Sequence, residues 1–112
     1  MQHRDKITLT KILDEISIAI NIMRDTSLDD FISNEILKRA VCMTVINIGE
    51  LVKSLSGEFR IEYSHIPWKT FAGFRDIAAH KYQTLNMGDV YKTVTEDFPE
   101  LKKNIQLILS QN

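Results

Sequence analysis

Apolar residues recur at intervals of three and four from about Asp5 to Met23, where Leu9, Ile12, Leu13, Ile16, Ala19, Ile20 and Met23 mark one face of a helix. Ile18 and Ile22 fall off that stripe and widen it, which fits either cover by a second subunit or an unusually deep helix in a monomer. Ser27, Asp29 and Asp30 then supply a cap and first-turn acids for a second helix running to about Ser56. It is almost wholly apolar from Ala40 to Val52, as expected for the axis of a core. Ser56-Gly57 ends it, and the stretch from Glu58 to His65 lacks periodicity and reads as a loop.

Pro67 and Trp68 open a short helix that ends near Tyr82, ahead of Asn86 and Gly88. Trp68, Phe71, Ala72, Ile77 and Ala78 supply its apolar side. Gly73 inside it would cost about 1 kcal/mol relative to alanine, which suggests close approach of another backbone or of a substrate. Val90, Tyr91, Val94 and Phe98 spell a fourth helix from about Asp89. Asp97-Phe98-Pro99 offers a cap and an early-turn proline for a last one carrying Leu101, Ile105, Ile108 and Leu109, so a break or kink is expected near Pro99. Strand-like alternation and internal repeats are absent. The expected fold is all-α, an antiparallel four-helix bundle with a short additional helix, in one domain over residues 1–112.

Composition leaves this picture intact and removes some functions. The chain has 112 residues, 44% hydrophobic and 26% charged, and its 14 basic residues against 15 acidic give a net charge of −1. Indiscriminate nucleic-acid binding would need a basic excess, so any RNA contact must come from a local patch. The one cysteine, Cys42, lies among Ala40, Val41, Met43 and Val45 and reads as a small buried hydrophobe. No disulfide framework is possible within one chain, which fits a reducing cytoplasm. The polar start Met1–Lys6 is unlike a signal peptide, and no run approaches the roughly 20 apolar residues of a membrane span.

Candidate chemistry concentrates in Phe74-Arg75-Asp76-Ile77-Ala78-Ala79-His80-Lys81-Tyr82. Arg75 and His80, five apart on a helix, point about 140° away from each other, so contact requires the arginine to curl, the last turn to unwind, or a subunit boundary. Asp76 and His80 share a face, and the carboxylate can accept a hydrogen bond from one ring nitrogen and fix the tautomer. On the preceding helix Asn47 and Glu50 also share a face, and either lie in solvent near the helix end or turn toward Arg75 or His80. His3, His65 and His80 have no zinc-site spacing, so no metal or cofactor is expected. By composition alone these charges would make an ordinary solvated helix face.

The pattern Arg-x4-His, with a polar residue after the arginine and Tyr82 completing Arg-x4-His-x-Tyr, resembles the signature of the HEPN superfamily and specifically its HepT-like toxins. Asn47-Ile48-Gly49-Glu50, Pro67-Trp68 and Asp97-Phe98-Pro99-Glu100-Leu101 resemble that family in order and spacing, so the likeness spans most of the chain. It implies a toxin endoribonuclease of a toxin–antitoxin pair. Two copies of Arg75 and His80 would meet at a homodimer cleft, with Asp76, Asn47 and Glu50 in support. It also implies a cognate MntA-like nucleotidyltransferase antitoxin and Tyr82 as the target of adenylylation.

An arginine and a histidine suffice for metal-free RNA cleavage by the ribose 2′-OH. Imidazole, whose free pKa is about 6.5, can carry either proton transfer, and the guanidinium fork suits phosphoryl oxygens. DNA, lacking the 2′-OH, would resist. The rival readings are a non-catalytic helical interaction subunit that docks a minimal nucleotidyltransferase, and a plain structural dimer.

Overall fold

A computed structural model describes residues 1–112. α1 (His3–Met23) and α3 (Glu35–Ser54) are the two long helices, joined through the short α2 (Leu28–Ser33). α4 (Gly57–Glu62) leads to α5 (Trp68–His80), which is followed by a 3₁₀ turn over Tyr82–Thr84. α6 (Met87–Lys92) passes through a π-helical turn, Thr93–Asp97, into α7 (Phe98–Ser110). The protein is all-α, an antiparallel bundle of α1, α3, α5 and the continuous α6–α7 rod, and no helix is long and apolar enough to cross a membrane.

The stripe read in α1 is the one that is buried: Leu9, Ile12, Ile16, Ala19 and Met23 face Val41, Val45, Ile48 and Val52 of α3. Phe71 of α5 and Val90, Val94, Phe98, Leu101 and Ile105 of the α6–α7 rod close the same core. Ile18 faces outward and Ile22 is half-buried. Cys42 is buried as expected, and desolvation pushes its thiol up to about 11.

Several boundaries differ from the sequence reading. The second helix is split at Asn34, whose backbone is extended and whose side-chain oxygen accepts the Leu37 N–H at 3.0 Å, capping α3. Ser27 caps α2 in the same way through Asp30 N–H. The stretch expected as loop holds α4, seated by the buried Phe59 against Tyr63 and Trp68. Its cap, Ser56, accepts the Phe59 N–H and donates its hydroxyl to the buried carboxylate of Asp5 at 2.7 Å, tying α4 to the start of α1.

Near Pro99 the chain stays helical, and the expected irregularity takes the form of the π turn at Thr93–Asp97. The π turn resets the hydrogen-bond ladder just before the proline, so its missing N–H falls in the first turn of the new register, where it has no acceptor to lose. Asp97 is helical and caps nothing. The fourth helix starts at Met87, with Asn86 as cap. Ile77 is turned to solvent, leaving Trp68, Phe71 and Ala78 as the buried side of α5. A Cβ at Gly73 would touch nothing within 4 Å, so no backbone approaches there; the close approach is at Gly49.

Candidate functional site

The last turn of α5 closes at His80: Lys81 leaves helical geometry (φ −136°, ψ 40°) while its N–H still reaches the Ile77 carbonyl at 2.8 Å. His80 therefore stands exposed at a helix end. Arg75 sits five residues earlier on the side facing α3, its side chain only 20% exposed. Gly49 lets it lie there, since a Cβ at that position would overlap the first two side-chain carbons of Arg75.

From this inner position the guanidinium curls back along its own helix. Its Nε forms an ion pair with Glu50 Oε1, without the alignment of a hydrogen bond. Nη1 donates to Asp76 Oδ1 at 3.1 Å and lies 3.5 Å from His80 Nε2. A guanidinium only donates, so this contact is a hydrogen bond in the tautomer that leaves Nε2 without a proton. The 140° between the two positions is thus bridged within one chain by the reach of the arginine.

Asp76 does not orient His80. Its Oδ1 accepts from Lys53 Nζ at 2.6 Å and from Arg75 Nη1 at 3.1 Å, and its hydrogen bonds go to these two cations rather than to the imidazole. Lys53 first and Arg75 second hold this carboxyl below the usual carboxylate range. Glu50 turns to Arg75, but Asn47 does not: its amide donates to Glu15 Oε1 of α1 at 3.4 Å. Asn47, Glu15, Glu50 and Lys11 instead line a polar groove of about 350 Å³ between α1 and α3.

Tyr82, just past the helix, is tied to the other end of α3. Its hydroxyl donates to Glu35 Oε2 at 2.9 Å, and the Arg39 guanidinium lies 4.8 Å above its ring while its Nε pairs with the same Glu35 oxygen at 2.8 Å. Desolvation, then the Glu35 carboxylate, pushes the phenol up to about 12, and the Tyr82 hydroxyl in turn lowers Glu35. Because Glu35 meets Tyr82 while Glu50 meets Arg75, α3 and α5 run antiparallel and the α5 end is held from both halves of α3. No three His, Cys, Asp or Glu side chains converge as metal ligands would.

Lys53, Glu35 and Arg39 belong to this constellation, although the sequence alone did not single them out, and so does Gly49, which the sequence offered only as part of the family-like stretch Asn47-Ile48-Gly49-Glu50. Lys53 was findable, being three residues beyond Glu50 on the same face of α3. Glu35 and Arg39 were visible as an i,i+4 ion pair, but no local signal joins them to a tyrosine 47 residues away.

Comparison with known proteins bears on what this site is for. The family model described as "Ribonuclease HepT-like" matches residues 12–108. A "putative RNase" of Caldanaerobacter subterraneus is 37% identical over 103 residues, covering 92% of this chain and 92% of that protein. A "probable ribonuclease HepT" of Thermococcus cleftensis is 30% identical, covering 91% and 93%. A longer protein of Methanocaldococcus jannaschii, named "gamma-glutamylcyclotransferase and putative RNase", is 40% identical over 106 residues, and there this chain spans 48% of the partner sequence. No solved structure matches the chain.

Proposed function

The chain belongs to the HepT-like family, and from that premise we propose that it is a metal-independent endoribonuclease in which Arg75 and His80 act on one phosphodiester. The observation that carries this is the placement of Arg75 Nη1 3.5 Å from His80 Nε2 at the exposed end of α5. The ribose 2′-oxygen attacks the neighbouring phosphorus as the bond to the 5′-oxygen breaks. An imidazole takes the 2′-hydroxyl proton, another proton reaches the leaving oxygen, and the products are a 2′,3′-cyclic phosphate and a 5′-hydroxyl. The guanidinium exchanges its Glu50 and Asp76 partners for phosphoryl oxygens, and both carboxylates keep it aimed before substrate arrives.

One chain supplies one imidazole. A homodimer with both motifs at a shared cleft supplies two, one for each proton transfer. Exposed apolar surface supports pairing of subunits: Glu15 meets Asn47 across antiparallel α1 and α3, so the exposed Ile18 and Met43 lie level on the neighbouring helices. The substrate is cellular RNA such as tRNA or mRNA, and the setting is a cytoplasmic toxin–antitoxin pair with an MntA-like nucleotidyltransferase. Adenylylation of Tyr82, two residues from His80, would place an anionic nucleotide where RNA phosphates enter.

Incubating the purified protein with RNA in the presence of a chelator tests the reaction. Cleavage with cyclic-phosphate ends, abolished by His80→Ala, is expected. No cleavage, together with a stable complex with a nucleotidyltransferase, would favour the non-catalytic docking subunit instead.

A further inference from the structure

On α5 the residues Lys69, Gly73, Asp76 and His80 follow at intervals of four, three and four, which sets them in one outward row. All four are exposed. At 1.5 Å per residue the row is about 16 Å long, room for the backbone of a few nucleotides.

Its far end opens on a cleft of about 560 Å³ lined by Arg60, Ile61, Ser64, Pro67, Trp68 and Lys69 among others, with no acidic residue in the lining. Arg60 makes no side-chain hydrogen bond or ion pair, and its Nε is buried without a partner. Arg4, Arg24, Arg39 and Arg75 each hold an oxygen acceptor. Lys69 takes part in no ion pair either. A guanidinium nitrogen desolvated without a partner is costly, and the planar fork it belongs to is matched to phosphate. Beside it Ile61 is 77% exposed, an apolar surface at the rim of a basic cleft.

The middle of the row does not repel an anion strongly. Asp76 is paired with Lys53 at 2.6 Å and keeps that partner when Arg75 turns to a phosphate. Over Gly73 the surface is open, because nothing stands within 4 Å of where a Cβ would be.

We propose that the Arg60–Lys69 cleft is a second phosphate subsite for single-stranded RNA, a proposal that rests on the ribonuclease reading above. A strand seated with one phosphate at Arg75 and His80 runs along α5 over Gly73. It delivers a phosphate a few nucleotides away to Arg60 and Lys69, with a base or ribose against Ile61 and Pro67. Such a chain, with no overall basic excess, would gain its RNA affinity from two cationic points at a fixed separation.

Fluorescence anisotropy with uncleavable 2′-O-methyl oligonucleotides of two lengths, a 4-mer and a 12-mer, tests this across a salt series. In the Arg60→Gln/Lys69→Gln protein the 12-mer is expected to bind about tenfold more weakly, with a salt slope lower by about 0.7, the share of the one single-strand phosphate that is no longer neutralised. The 4-mer, too short to span the row, is expected to change less than about twofold. Arg60→Lys/Lys69→Arg keeps both charges and is expected to recover most of the affinity.

An unchanged 12-mer affinity and slope would overturn the subsite, as would equal losses for both lengths. A variant that binds RNA normally but no longer binds a partner protein would also overturn it, making the cleft a protein dock. The two readings separate cleanly. Wild-type cleavage with unchanged 12-mer binding in the variant removes the subsite alone. Absent cleavage with a length-dependent loss removes the nuclease and leaves an RNA-binding cleft.

Discussion

A side chain on Gly49 would set its Cβ 2.1 Å from the Cβ of Arg75 and 3.0 Å from the Phe71 carbonyl oxygen. Both are fixed to the α5 backbone, so neither can swing aside and the two helices would have to separate. Overpacking of this kind costs about 1–3 kcal/mol, offset by about 1 kcal/mol of helix preference for alanine. Gly49→Ala is therefore expected to lower stability in urea unfolding by up to about 2 kcal/mol and to displace the arginine. Gly73→Ala, with open space around it, is expected to raise stability by up to about 1 kcal/mol. The reverse order of the two would mean that the α3–α5 contact is looser than described.

The Tyr82 phenol is held up at about 12 by desolvation first and by the Glu35 carboxylate second. Glu35→Gln removes the second cause and is expected to lower the Tyr82 ionisation toward the ordinary phenol value in an ultraviolet titration. Because the folded pKa lies above the unfolded one, the linked stability is complete below about pH 10 and is lost as pH rises toward 12. Alkaline unfolding of the variant should accordingly depend less on pH across that window. A titration unchanged by the substitution would show that Glu35 does not hold the hydroxyl.

These contrasts show what the sequence could carry. The α1 stripe was legible because 21 residues give the 3.6-residue period several turns in which to repeat. α4, with six residues, gives it fewer than two, and its one buried anchor, Phe59, cannot establish a period. The split at Asn34 was hidden because apolar residues resume within two positions, at Ile36 and Leu37. Gly49 and Gly73 look alike as interior helix glycines, and only the packing of α3 on α5 tells which one faces a neighbour. The same limit applies at the site. Arg75, His80 and Tyr82 stand out by type and spacing, whereas Asp76 pairing with Lys53 in place of His80 depends on a second helix.

Lys53 is the largest cause of the depressed Asp76 pKa, with Arg75 next. Lys53→Met is expected to raise the Asp76 carboxyl toward its ordinary value, read by carbon-detected NMR titration. A carboxyl depressed in the folded state adds stability above its unfolded pKa of about 3.9, and that contribution disappears as pH falls through the folded value. Wild type and variant should thus differ at neutral pH and converge in acid. A stability gap that persists below the Asp76 titration would assign the role of Lys53 to its aliphatic stem rather than to its charge.

Arg75→Lys separates charge from geometry. The guanidinium meets Glu50 through Nε and both Asp76 and His80 through Nη1, so one group spans three partners on two helices. An ammonium keeps the positive charge but is a single point, which cannot hold Glu50 and still present a fork beside the imidazole. If Arg75 stabilises charge developing on the phosphoryl oxygens, the lysine variant should bind uncleavable RNA within a few-fold of wild type. Its single-turnover cleavage should fall by roughly 10²–10³, the usual loss for removing one preorganised donor. The contrast resides in the transition state, where the pentacoordinate phosphorus carries more charge on the oxygens than the ground-state diester does. A parallel loss of binding and cleavage would instead assign Arg75 to ground-state anchoring of the strand and leave the chemistry to His80 alone.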